Sequence, residues 1–123
     1  MIAVDTSAIM RADERAGRRG VFGRKDTLII SAETVAEALV VADRRGIGDA
    51  MASLIAGLGM EVVNVTAASA RRVCAAYTVW GKGVHPVGLN FGDCFAYEVA
   101  REHDCPLLFV GDEFTRADIR PAL

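Results

Sequence analysis

Two kinds of apolar pattern alternate along the chain. Short continuous runs stand at "MIAV" (1–4), "TLIIS" (27–31) and "PLLFV" (106–110), and "MEVVNV" (60–65) alternates with period two. Runs of this length between polar or turn residues predict strands, and unbroken ones predict strands covered on both faces. Between them lie longer segments with helical spacing. "AETVAEALVVADRRG" puts Val35, Leu39 and Ala42 on one stripe, with Ser31 as N-cap and Gly46 as terminator. "GDAMASLIAGLG" carries Met51, Leu54, Ile55 and Leu58 in the same way. Thr66 caps "AASARRVCAAYTVWG", and "FGDCFAYEVAREHD" follows the glycine-rich loop "GKGVHPVGLN". In that last helix Phe91, Phe95 and Val99 share a stripe and are expected to anchor it in the core. The stretch after "MIAV" is polar and broken by glycines, with room for one short helix.

Strands alternating with helices predict an α/β fold with a parallel sheet and helices on both faces. At 123 residues the chain is expected to form one domain, 1–123, with a real core. Hydrophobic residues at 52 % against 24 % charged exclude a disordered composition. No apolar run reaches the roughly 18–20 residues that span a bilayer. The start, "MIAVDTSA", has acid where a signal peptide has base, so a cytoplasmic protein is expected. Cys74, Cys94 and Cys105 form no CxxC pair and read as small buried hydrophobes. His85 and His103 are isolated, which argues against a histidine-based centre. A net charge of −2 gives no global basic field, yet Arg11, Arg15, Arg18, Arg19, Arg24 and Lys25 crowd one segment fit for phosphate.

The acids change the picture. In open parallel sheets, sites form at the carboxyl edge. Asp5 follows the first strand directly, and Asp112 and Glu113 follow the last. Asp93 lies in the first turn of its helix, and Glu37 lies about two turns into the helix after the second strand. Each has an ordinary reading alone: helix-dipole acid, turn residue or solvated face. Asp5 is the hardest to explain that way, because it ends a buried strand and "DTS" offers hydroxyls to bond it. Together, several carboxylates at one edge would repel unless a hard divalent cation such as Mg²⁺ is held among them. Such ions support phosphodiester cleavage. No GxxxxGK[ST] loop and no Ser-His-Asp or Cys-His arrangement competes.

"MIAVDTSAIM", "ISAETVAEAL", "GLNFGDCFAYEVA" and "PLLFVGDEFTRADI", in this order over nearly the whole chain, resemble the PIN-domain ribonucleases, specifically the VapC-type toxins of toxin–antitoxin modules. The resemblance implies a three-layer α/β/α sandwich and an Mg²⁺- or Mn²⁺-dependent endoribonuclease acting on RNA. It also implies a homodimer inhibited by a VapB-like antitoxin. Residue by residue, the family's catalytic acids match Asp5, Glu37, Asp93 and Glu113, with Asp112 the neighbouring candidate for the fourth place. Asp5, Asp93 and Glu113 or Asp112 would hold the metal, and Glu37 would complete the site or orient the attacking water. Thr6 and Ser7 would support Asp5, and Asp118 would act from one layer further out. Arg11, Arg15 and Arg116 are candidates, on charge alone, for RNA phosphates. The chain departs from relatives in its short arginine-rich stretch over 11–26, which bears on antitoxin docking and dimer contacts.

Two rivals remain. A phosphoacceptor receiver domain also gathers acids on a parallel sheet, but it wants a Lys after its last strand, and "GDEFTRAD" has none. The alternative is a catalytically weak PIN-like fold that mainly binds a partner. The presence of all four acids argues against it, and the altered arginine segment argues for it.

Overall fold

The computed structural model describes residues 1–11 and 26–123. Four strands and five helices follow one another in those residues: β1 (Ile2–Val4), α1 (Thr6–Met10), β2 (Leu28–Ser31), α2 (Ala32–Arg44), α3 (Gly48–Leu58), β3 (Glu61–Val63), α4 (Ala67–Trp80), α5 (Phe91–Glu102) and β4 (Leu107–Leu108). The strands form one sheet in the order β3-β2-β1-β4, parallel throughout. Ala3 of β1 lies opposite Ile29 of β2 and Leu107 of β4.

Alternation along the strands sorts the core into two layers. Ala3, Ile29 and Leu107 face α4 and α5, where Val73, Phe95, Val99 and Phe114 close the packing. Ile2, Val4, Leu28, Ile30 and Leu108 face α1, α2 and α3, where Ile9, Ala38, Ala42 and Met51 meet them. The result is the three-layer α/β/α sandwich. Among the described residues no helix is long and apolar enough to cross a membrane.

Local chemistry sets the helix ends. Ser31 Oγ accepts the Glu33 amide at 3.2 Å, and Gly46 at φ +74° ends α2. Thr66 and Ser69 form a reciprocal capping box on α4, as do Asn90 and Asp93 on α5. Helices α4 and α5 are tied where Arg72 meets the buried Glu98 at 3.0 Å and Glu102 at 3.3 Å.

Three expectations are corrected. Phe91 does not anchor α5: it is 64 % exposed and stacks edge-on against Phe95, because the first residue of the helix lies beyond the edge of the core. Cys74 is exposed, while Cys94 and Cys105 are buried and free. The last strand is only Leu107–Leu108, because the chain leaves the ladder at Phe109 and the Val110 amide bonds a side chain instead.

The strand order places the site. From β1 the chain crosses to β2 and β3 on one side, and β4 returns on the other. The order therefore reverses beside β1, and the crevice that such a reversal opens lies at the carboxyl end of β1, where Asp5 stands.

Candidate active site

Asp5 is 3 % exposed and caps α1. Its Oδ2 accepts the Ser7 amide at 3.1 Å and the Ser7 hydroxyl at 2.6 Å. Ser7 Oγ in turn accepts the Val110 amide at 3.0 Å, and the Asp5 amide donates to the Leu108 carbonyl at 3.0 Å. One serine thus pins the acid and fastens the chain leaving β4 to the end of β1. The neighbouring Thr6 hydroxyl donates to Glu37 Oε1 on α2. The "DTS" tripeptide therefore positions two acids from elements 31 residues apart.

The other two sites of charge come from α5 and from the turn after β4. Asp93 Oδ2 accepts the Asn90 amide at 2.9 Å, while the Asp93 amide donates to Asn90 Oδ1 at 2.8 Å. Asp93 is thus a helix-start acid in the ordinary sense, yet its second oxygen carries no hydrogen bond among the described residues. Beside it, Gly92 makes room for a partner: a Cβ there would lie 2.5 Å from Glu37 Oε2. The missing side chain lets the Glu37 carboxylate lie against the start of α5. The same device recurs at Gly111, with φ +106°, where a Cβ would lie 2.6 Å from Glu113 Oε2. Buried Phe114 fixes the turn that carries Glu113.

These carboxylates act on one another. Burial raises the Asp5 pKa, against the lowering effect of its Ser7 hydrogen bonds, and the Glu37 charge raises it further. Asp93 is pushed up to about 6 by burial, opposed by the Asn90 amide, with the charges of Asp5, Glu113 and Glu37 adding to the rise. A fifth acid, Glu33, belongs to the same field and was missed in the sequence. Burial and the charges of Glu37, Asp5 and Asp93 push it up to about 7. Its Oε2 is shielded from solvent and has no hydrogen-bond partner. The signal was present: positions 33 and 37 are one helical turn apart and share a face.

The remaining candidates fall elsewhere. The Asp112 carbonyl organises its turn by accepting from Thr115, its side chain is exposed, and the charge that reaches Asp93 from this turn is that of Glu113. Asp118 accepts the Tyr97 hydroxyl at 2.5 Å and pairs with Arg101 at 3.7 Å, a network that Trp80 Nε1 joins through Tyr97. Arg11 ends α1 and Arg116 follows Phe114, both exposed. Arg15, with most of the arginine-rich stretch, lies outside the described residues. The histidines serve structure: His85 stacks on Trp80 and its Nδ1 accepts the Val87 amide, and His103 Nδ1 lies 3.0 Å from the Val99 carbonyl.

Among the described residues no three Asp, Glu, His or Cys side chains stand close enough to ligate one ion as they are placed. Asp5, Glu37 and Asp93 each lie against a brace of their own, Ser7, Thr6 and the Asn90 amide. The donor set nevertheless fits a hard divalent cation. It is all carboxylate oxygen, it includes the shielded and unpartnered Glu33 Oε2, and the ion pairs described lie elsewhere, on Glu98, Glu102, Asp104 and Asp118.

Comparison with known proteins shows the family and the fold. Residues 2–120 match the family described as PIN domain. Ribonuclease VapC30 of Mycobacterium tuberculosis is 36 % identical over 125 residues, covering 96 % of this chain and 95 % of its own. Ribonuclease VapC42 of the same organism is 37 % identical over 129 residues, covering 97 % of each. The crystal structure of M. tuberculosis VapC20, a toxin that cleaves the sarcin–ricin loop, superposes with a TM-score of 0.79 at 19 % identity, over 97 % of this chain and 96 % of that one. VapBC2 from Rickettsia felis, solved bound to a promoter DNA fragment, gives 0.71 at 17 % identity over 98 % and 96 %. At those identities the two structures speak for the fold alone.

The raised values carry a sign. Glu33 rises from 4.5 to about 7 and Asp93 from 3.8 to about 6, so the folded chain keeps protons that the unfolded chain releases. These groups therefore favour folding at acid pH, and stability falls as pH climbs through that window. In chelator, the melting temperature is expected to fall between about pH 5 and 7, with a shallower slope for Asp93→Asn. A melting temperature that rises across this range in chelator, unaffected by the substitution, contradicts the coupling.

Proposed function

This chain belongs to the PIN-domain family and stands with its VapC ribonucleases, and from that premise we propose that it is an endoribonuclease toxin that hydrolyses RNA phosphodiester bonds with Mg²⁺ or Mn²⁺. The observation that carries the reading is the field of acids at the carboxyl end of β1, drawn from β1, α2, α5 and the turn after β4. Asp5, Asp93 and Glu113 hold the cation, with Glu113 preferred to Asp112 because its charge is the one felt at Asp93. Such an ion, when bound, supplies an activated water and a counter-charge for the leaving oxygen.

The chain's own residues do the positioning. Ser7 fixes Asp5 from its hydroxyl and its amide, so the first acid enters the site in one rotamer. The capping box does the same for Asp93. Thr6 orients Glu37 from Oε1, leaving Oε2 over Gly92 to accept a proton from the attacking water. Arg116, three residues beyond Glu113, Arg11, at the end of α1, and Arg15 are assigned to flanking phosphates on charge alone. The toxin–antitoxin complexes among the solved neighbours support a VapB-like antitoxin as inhibitor, while a homodimer and a cytoplasmic location are carried from the family resemblance alone.

The test uses the full chain, free of antitoxin, with structured RNA. Cleavage is expected with Mg²⁺ or Mn²⁺ and not with chelator, and Asp5→Asn or Asp93→Asn lowers it by roughly a hundredfold or more. Cleavage that survives chelation and both substitutions overturns the metal reading. Lack of any cleavage with metal bound favours the partner-binding alternative.

Gly92→Ala gives a second, sharper expectation. Alanine favours the helix over glycine and its Cβ meets only the flexible end of Glu37, so the melting temperature should hold. The new methyl group displaces the flexible end of Glu37, and cleavage should fall by about tenfold. Full activity in a Gly92→Ala protein shows that the Glu37 position is dispensable.

A further inference from the structure

We propose that Glu33 is a fifth carboxylate of the site and helps to hold its divalent cation, directly or through water. The inference rests on the metal-dependent reading above and adds to it a residue outside the four acids that the family resemblance assigns.

Placement comes first. Glu33 lies one turn before Glu37 on α2, and α2 packs against α1 and α5, the elements that follow Asp5 and carry Asp93. Glu33 is near enough to feel the charges of Glu37, Asp5 and Asp93. Its Oε2 is shut off from solvent and bonds nothing. A buried carboxylate oxygen without a donor is costly, and three like charges nearby raise that cost. A cation removes both penalties together.

The ordinary alternative is an acid that serves the helix dipole from the first turn. It does not account for what is seen. The Glu33 amide is already satisfied by Ser31 Oγ, and the shielded Glu33 oxygen takes no backbone N–H of its own. An acid kept only for the dipole gains nothing by shielding an unpartnered oxygen from solvent.

Calorimetric titration of the full chain with Mn²⁺ tests the assignment, alongside thermal melts of the same samples in chelator. Glu33→Gln keeps size and shape but removes the charge. It is expected to weaken Mn²⁺ binding by about tenfold while the melting temperature in chelator holds or rises, and Glu33→Asp should recover part of the affinity. Wild-type Mn²⁺ affinity in Glu33→Gln overturns the proposal and leaves the nuclease reading intact. Absence of Mn²⁺ binding in the wild-type chain overturns both.

Discussion

The chain gathers like charges where the solvent is least able to screen them. Burial shifts Asp5, Glu33 and Asp93 upward and the charge of Glu37 adds to each rise, at the edge where the strand order reverses. Bringing carboxylates together in this way works against folding, so each must be held by something specific. Ser7 holds Asp5, Thr6 holds Glu37 and the Asn90 amide holds Asp93. Two glycines, Gly92 and Gly111, clear space for Glu37 and Glu113. The surrounding structure is organised around this one electrostatic cost, which the divalent cation proposed above would offset.

The supporting contacts also join the fold. The Ser7 hydroxyl spans 103 residues of sequence when it accepts the Val110 amide, and this contact both shortens β4 and delivers the turn bearing Glu113. The hydroxyl that positions the first acid is therefore the one that brings in the fourth. Phe114, fully buried against the α4–α5 side of the sheet, completes the anchor. The contacts that join the fold are thus also the ones that place the acids.

Much of this was legible in the sequence. Strand and helix positions followed from periodicity, caps from Ser31 and Thr66, and the α/β layering from their alternation. Asp5 stood out because an acid ended an apolar strand beside two hydroxyl residues. Gly92 was legible as missing bulk next to Asp93, although its beneficiary, Glu37, came from another helix. What the sequence hid was long-range or end-dependent. Helical spacing put Phe91 on the core stripe, but spacing does not say where along its axis a helix leaves the core. Glu33 was passed over because one acid on α2 already satisfied the pattern, and only burial reveals that its neighbour one turn earlier turns inward. Asp118, expected one layer out from the acids, bonds Tyr97 and Arg101, partners 21 and 17 residues away that its spacing from Glu113 does not suggest.

The proposed cation site is this field of carboxylates. Crystals of the full chain soaked in Mn²⁺ and measured for anomalous scattering test it most directly. The account predicts an anomalous peak at the carboxyl end of β1, ligated from among Asp5, Glu33, Glu37, Asp93 and Glu113. A saturating soak that leaves this crevice without a peak, or that places the only ordered Mn²⁺ elsewhere on the chain, contradicts it.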